Sequence, residues 1–182
     1  MRTIIGSILI VLSMLAASEI VLAKDISSMA RDEQKHNQWM SFLIANPLMK
    51  GQVFATRAGT EDKRTNSSLA LTYTIEKNCV LSETAIIIKT NYRGNRIKPV
   101  SRFVTFQIDN SSPKTFKAIL QRADDTRFTF LSIYDEKLDQ YLIRGKNLMI
   151  NCKGIGIQNF SLSGSKAAIE RASSECRDRL MD

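Results

Sequence analysis

Short strand-like segments separated by turn residues recur along most of the chain, and they constrain its fold more than any other feature. In the clearest of them, residues 69–75, Leu69, Leu71 and Tyr73 alternate with small or polar residues, so the odd positions are expected to face a core. Further strands are predicted at 39–44, 52–56, 84–90, 100–108, 115–120, 126–133, 140–143 and 147–152. Strands that recur about every 8 to 15 residues predict a mainly β fold, either an antiparallel β-sandwich or an open barrel.

Two polar segments between these strands are predicted as loops. Residues 58–68 are rich in Gly, Thr, Asn and Ser and carry charges of both signs. Residues 91–98 surround Gly94 and are predicted to form a hairpin loop that joins two neighbouring strands.

The C-terminal segment predicts a helix packed on the sheet. The residues before Gly164 have the character of a strand end and a tight turn, and Ser163 is predicted to cap the helix that follows. Apolar or small side chains then recur at helical spacing on one face, at Ala168, Ile169, Ala172, Cys176 and Leu180. A short amphipathic helix of this kind is marginal alone, so we expect it to cover the sheet.

The first 23 residues have the features of an export signal. Arg2 precedes a nearly unbroken apolar run from Ile4 to Ala17, and Val21–Ala23 offers a cleavage site. The run is too short to span a bilayer comfortably, although a retained anchor is the alternative, and no later segment is apolar enough to cross a membrane. We therefore predict a periplasmic or secreted protein, with a polar arm at 24–38 and a single domain at 39–182.

The chain is basic, with 26 Lys and Arg against 18 Asp and Glu and a net charge of +8. A basic exported protein is suited to anionic lipid, polysaccharide, nucleic acid or an acidic protein. One stretch, called here the basic segment, concentrates this charge around an aromatic residue: Lys89, Tyr92, Arg93, Arg96, Lys98 and Arg102. It is a candidate patch for an anionic partner, and a charged loop that protects a sheet edge is the competing interpretation.

Three cysteines lie after the predicted cleavage site, at Cys79, Cys152 and Cys176. In an oxidising compartment, one disulfide and one free thiol is the simplest arrangement, and three buried free thiols is the alternative. Cys176 is the expected member of the disulfide because helical period places it inward, whereas strand parity leaves its partner open between Cys79 and Cys152. The spacings do not match a zinc motif, and we predict no metal site.

No set of residues predicts catalysis or a cofactor. The single histidine, His36, lies in the polar arm, and Ser111–Lys114 has a Ser-x-x-Lys spacing but contains Pro113 within a turn cluster. Gly154–Gly156 lacks the following helix that would hold a phosphate, and it predicts a bend. The acidic pairs at 124–125 and 135–136 are expected to be solvated loop residues.

Several short motifs occur together over nearly the whole segment after the predicted signal. They are Trp39 at the start of a strand, the Asn46–Met49 turn, Leu69–Leu71, the strand Arg102–Phe106, and Phe160–Gly164 followed by Ala167–Ile169. In this layout the chain resembles the small exported β-sandwich proteins of the invasion-associated locus B type, and it is similar to accessory proteins of type VI secretion. The resemblance implies binding or assembly at the cell envelope rather than catalysis.

These features predict a non-enzymatic exported envelope protein that acts by protein–protein contact, as a virulence factor or a secretion-system accessory. Its partner would be an envelope or secretion-system protein. Two alternatives stay open: a binder of an anionic envelope ligand through the basic segment, and an inhibitor or immunity protein against a secreted toxin.

Overall fold

The computed structural model describes residues 29–45, 52–122 and 126–181, without the side chains of residues 90–93. The predicted export signal, the predicted turn at Asn46–Pro47 and the Asp124–Asp125 pair lie outside these residues. Within them, no helix has both the length and the apolar character needed to cross a membrane.

One antiparallel sheet dominates the described residues, in the order β1-β2-β3-β4-β5-β8-β7-β6-β9-β10. Its strands are β1 Ala30–His36, β2 Trp39–Ala45, β3 Val53–Asp62, β4 Ser67–Thr74, β5 Leu81–Gly94, β6 Ile97–Ile108, β7 Lys114–Arg122, β8 Thr126–Ile133, β9 Asn147–Cys152 and β10 Gly156–Ser161. Helix α1 Leu138–Leu142 lies between β8 and β9, and helix α2 Ser165–Asp178 follows β10. The predicted mainly β, antiparallel fold with a C-terminal helix is confirmed, as one continuous sheet that does not close by pairing β10 with β1.

The inner face of the sheet holds the hydrophobic core. Leu69, Leu71 and Tyr73 belong to this core, whereas Ala70 and Thr72 between them, although also buried, do not, which agrees with the alternation predicted for this strand. Their neighbours on the same face belong to both halves of the sheet and to α2, and include Trp39, Ile86, Val104, Phe106, Leu131, Leu148, Ile150, Phe160 and Ile169. A single sheet encloses a core because its two halves fold over the same side.

Helix α2 packs on the first strands of the sheet, as the C-terminal pattern predicts. Ala168, Ile169, Ala172 and Cys176 are buried, and the Thr56 hydroxyl donates a 2.6 Å hydrogen bond to the carbonyl oxygen of Ala172. Leu180 does not share this face, because the helix ends at Asp178 and the Leu180 side chain is exposed.

The predicted cap at Ser163 is wrong by one residue, and the reason lies in tertiary packing. Gly164 is the N-cap residue, with φ at 94°, a left-handed conformation that favours glycine. A Cβ atom at Gly164 would lie 1.8 Å from the carbonyl oxygen of His36, so the β1–β2 turn packs directly against this backbone. The Gln38 amide donates to the Ser163 carbonyl at 3.1 Å, and Trp39 Nε1 donates to the Ser161 carbonyl at 2.7 Å. These contacts join the end of β10 to the start of β2.

Two predictions about polar segments differ from the structure. Residues 30–36, predicted as part of a loose arm or a short helix, form the edge strand β1, which pairs with β2 through backbone groups that its charged side chains do not reveal. The predicted loop 58–68 is mostly strand: β3 continues to Asp62, β4 begins at Ser67, and only residues 63–66 turn. The Asp62 carboxylate stabilises this turn by accepting hydrogen bonds from the Arg64 amide and the Thr65 hydroxyl.

Two other local predictions also fail. The predicted strand 140–143 is the end of α1, in which Leu138 and Leu142 are buried four residues apart, on one helical face. The predicted hairpin around Gly94 is absent from the described sheet, because β5 and β6 do not pair with each other. The β7–β8 hairpin lies between them, and a local pattern gives no signal for such an insertion.

Candidate functional site

A disulfide joins α2 to the loop that precedes β5. It links Cys79 and Cys176, which are 97 residues apart in sequence and 5.6 Å apart between Cα atoms. Cys152 is a buried free thiol. Burial raises the pKa of Cys152, and the Arg102 guanidinium offsets part of this shift. A buried thiol with a raised pKa is a poor nucleophile, so its geometry indicates a packing role.

The structure distributes the described members of the basic segment over two faces of the sheet. Lys89 pairs with Phe128 on the outer face, whereas Arg102 pairs with Ala118 on the inner face, at an exposed end. Arg96 and Lys98 are exposed beside the start of β6. The side chains of Tyr92 and Arg93 lie outside the described part of the structure. Lys89 is therefore separated from the group formed by Arg96, Lys98 and Arg102.

His36 and Ser41 form a contact that the sequence did not predict. Their Nε2 and Oγ atoms are 2.9 Å apart, across the β1–β2 hairpin. Ser41 is 0 % exposed, and its Oγ also accepts a hydrogen bond from Arg171 at 3.0 Å. A nucleophilic serine has to reach a substrate, and this one is enclosed by the helix and the sheet. The pair therefore has a structural role.

Arg171 fastens α2 to the first hairpin. Its guanidinium donates to the carboxylate and the backbone carbonyl of Asp32 and to the carbonyl of Ser41. It also forms an ion pair with Glu175 on the same helix. Asp32 has a positive φ of 50°, at the irregularity between Arg31 and Gln34, which turns its carboxylate toward the helix. These contacts give the polar first strand a fixed position.

The outer face of the sheet, opposite the core, carries a row of small residues that runs across the strands. Gly59, Ala70, Ala85 and Ser132 lie in register on β3, β4, β5 and β8. Side chains in register on neighbouring strands stand side by side, and Ala70, Ala85 and Ser132 are buried here. We call this row the outer row. Larger residues flank it, with Arg57, Thr72 and Glu83 in register on one side and Ser68, Ile87 and Phe130 on the other.

A cavity of about 420 Å³ lies on the outer face at the β2–β5 end of the outer row. Its lining includes Met40, Phe42, Arg57, Gly59, Ala70 and Ile87. Apolar side chains stand there beside polar and charged ones, and the volume is within the usual range of sites for small molecules.

Arg57 is the unusual residue of this cavity, because its charged side chain is only 6 % exposed. Its Nε donates to the Thr72 hydroxyl at 3.0 Å. Burial lowers the pKa of Arg57, and the carboxylate of Glu83, one strand beyond Thr72, acts in the opposite direction. The predicted strand ended at Thr56, so the sequence reasoning missed Arg57. The only sequence signal was a charged residue directly after a strand, which also describes many loop residues.

A second exposed surface lies on the outer face of β6, β7, β9 and β10. Phe103 is 72 % exposed and stands opposite Lys117. Ile157, also exposed, lies on the same face two strands away, in register with Asn151 and Thr105. We call these five residues the Phe103 surface. It combines a large aromatic side chain with a polar surround on regular strands.

The described residues hold no group of three or more His, Cys, Asp or Glu side chains placed to bind a metal ion.

Comparisons with known proteins return one distant likeness. No family model matches the chain, and no curated protein matches its sequence. Among solved structures, the fold is similar to the crystal structure of invasion associated protein B from Bartonella henselae, with a TM-score of 0.39 and 12% sequence identity. The alignment covers 80% of this chain and 98% of that chain. This chain is thus similar, at a distance, to an invasion-associated protein.

Proposed function

We propose that this protein is a non-enzymatic, exported envelope protein that acts by binding another protein through the Phe103 surface. The observation that carries the proposal is the exposure of Phe103 in the middle of a regular strand. An aromatic side chain held on a rigid strand loses little conformational entropy when a partner covers it. Aromatic residues of this kind are enriched among the few that dominate binding energy at interfaces.

The charge around Phe103 favours an acidic partner. Lys117 stands directly opposite Phe103, and Lys153 is exposed in the turn that follows β9. The chain as a whole has a net charge of +8, which would speed its encounter with an acidic protein. Asn151, Thr105 and the other polar residues around these lysines would form the hydrated rim that protein interfaces usually have.

Capture from envelope extract tests the contact. Immobilised wild-type protein is expected to retain an acidic envelope protein that Phe103→Ser retains at least tenfold less. Met181→Ser is the matched control, because Met181 is also a highly exposed apolar residue but lies beyond α2. Equal capture by wild type and Phe103→Ser, or no capture by wild type, would contradict the proposal.

Export is the second part of the proposal and has its own measurement. The apolar run and small residues at the start of the chain support cleavage after Ala23. Cell fractionation followed by N-terminal sequencing is expected to give a periplasmic or secreted protein that begins at Lys24. Full-length protein confined to the cytoplasm would contradict export.

Binding of an anionic envelope ligand is the second candidate function. It is favoured by the exposure of Arg96, Lys98 and Arg102 on one short stretch at the start of β6. Binding of lipopolysaccharide through these side chains should weaken as salt is added, because phosphate contacts release counterions. The triple change Arg96→Ala, Lys98→Ala and Arg102→Ala should abolish this binding, whereas Phe103→Ser should leave it unchanged. Binding that does not respond to salt would exclude this function.

A further inference from the structure

Arg57 is a buried cation whose hydrogen-bonding capacity is mostly unused. A guanidinium has five N–H groups, and among the described residues Thr72 is the one hydrogen-bond partner of Arg57. None of the ion pairs found between described residues includes Arg57, and Glu83 lies two strands away from it in the register. A buried charge that is neither paired nor fully hydrogen-bonded is unfavourable in the folded protein. Among the described residues, the buried side-chain polar atoms without a partner belong to Thr84, Tyr141 and Gln158 and not to Arg57, so the unbonded N–H groups of Arg57 remain accessible to an anion in the cavity.

The surroundings of Arg57 restrict which anion fits. The cavity beside it has an apolar lining from Met40, Phe42, Ala70 and Ile87. Its charged lining residues are Arg57, Lys35 and Lys63 against the single carboxylate of Glu61. A lining that combines more positive than negative charges with several apolar side chains favours a ligand that is anionic at one end and apolar along the rest.

We propose that the cavity binds a small amphipathic monocarboxylate, such as a medium-chain fatty acid, with its carboxylate on Arg57 and its alkyl chain along the apolar part of the cavity lining. The fork of the guanidinium matches a carboxylate, which can accept two parallel hydrogen bonds from it. Beyond Arg57, the lining continues through Gly59 on β3, Ala70 on β4 and Ile87 on β5. These residues, with Met40 and Phe42 on β2, give an alkyl chain an apolar surface to cover.

The volume of the cavity agrees with a ligand of this size. A site of about 420 Å³ falls in the range of roughly 300 to 1,000 Å³ that small-molecule sites occupy. Gly59 and Ala70 help to keep this volume open, because a larger side chain at either position would project into the cavity. This inference does not depend on the Phe103 surface, which lies on other strands.

Binding at this site can be measured with a simple ligand and the purified full chain. Titration with decanoate, followed by calorimetry, is expected to show saturable binding. Decanol, with the same chain and no charge, is expected to bind at least tenfold more weakly, and acetate, with the charge and no chain, should not bind.

Substitutions assign the contacts. Arg57→Leu should weaken the binding of decanoate at least tenfold and leave that of decanol unchanged, whereas Ala70→Leu should weaken the binding of both by filling the cavity. Arg144→Leu is the matched control, since Arg144 is an exposed arginine after α1 and should bind decanoate like the wild type. Should Arg57→Leu fail to fold, Arg57→Lys keeps the charge without the fork and is expected to bind decanoate with intermediate affinity.

Three results would overturn the proposal. They are no saturable binding of decanoate by the wild type, equal affinities for decanoate and decanol, and a decanoate affinity that Arg57→Leu does not change. The first two need no variant, so the proposal is testable even if every substitution at Arg57 unfolds the protein. If decanoate did not bind, the result expected from the capture experiment at Phe103 would not change, so the two proposals can fail independently.

Discussion

The two faces of the sheet use side chains of similar kinds in opposite ways. On the inner face, apolar residues from nearly all strands meet α2 and are almost completely buried, as Phe106 is. On the outer face, Phe103 is mostly exposed three positions earlier on the same strand, while the charged Arg57 is buried. An antiparallel sheet with one solvated face usually places polar residues outward. Phe103 and Arg57 depart from this pattern, and they lie on the surfaces for which we propose binding.

The largest effect on stability is expected when the same change, phenylalanine to alanine, is made separately on the inner and the outer face of β6. Phe106→Ala should lower the free energy of unfolding by about 3 to 5 kcal/mol, because it removes a fully buried ring from the core. Phe103→Ala should change it by no more than about 0.5 kcal/mol, because the ring is already in water. Urea unfolding measures both. Similar losses for the two variants would mean that the faces are energetically alike.

The second largest loss of stability is expected when the disulfide is removed, because both of its cysteines are buried in the core on the inner face. Cys176→Ser should destabilise the oxidised protein by about 2 to 5 kcal/mol, because the bond closes a loop of 97 residues in the unfolded chain. In reductant, the variant and the wild type should differ much less. Cys152→Ser is the control, since Cys152 is not in the bond. Peptide mapping that joins Cys152 to either other cysteine would refute the assignment.

On the outer face, removal of the Arg57 charge is not expected to destabilise the protein, in contrast to the losses predicted on the inner face. Arg57→Leu should leave the stability of the unliganded protein unchanged or raise it by about 1 kcal/mol, because a buried charge with few partners is costly. Thr72→Val, which removes the acceptor of the Arg57 Nε hydrogen bond, should lower stability by about 1 to 3 kcal/mol. Thermal unfolding without ligand distinguishes the two. A large loss with Arg57→Leu would show that the arginine stabilises the fold.

The smallest effect concerns the contribution of the Asp62 carboxyl to stability and its dependence on pH. Burial tends to raise the pKa of Asp62, but hydrogen bonds from the Arg64 amide, the Thr65 hydroxyl and the Arg64 side chain lower it overall. A carboxyl whose pKa is lower in the folded state stabilises the fold at neutral pH and loses that contribution as the pH falls through its folded pKa. Asp62→Asn should therefore cost about 1 kcal/mol at neutral pH and progressively less in acid. A constant difference across this pH range would contradict the assignment.

Local patterns predicted the elements of the fold better than their connections. Alternation at Leu69, Leu71 and Tyr73 and the helical stripe at Ala168, Ile169 and Ala172 were informative because each reports burial of one face of one element. The hairpin around Gly94 was a wrong prediction, because adjacency in sequence was taken for adjacency in the sheet. The candidate binding cavity was missed for the same reason, since its residues belong to neighbouring strands and no stretch of sequence contains them together.

The sequence by itself determined the fold class, the terminal helix and the inward position of Cys176, because these depend on periodicity within a single element. The prediction of export also depends on the sequence alone, because its residues lie outside the part that the structure describes. Tertiary structure alone decided that Cys79 is the partner of Cys176 and that the Gly164 backbone meets the β1–β2 turn. It alone brought Gly59, Ala70, Ala85 and Ser132 into one row beside Arg57. These features depend on strand order and register, which the whole sheet sets when both of its halves bury one core.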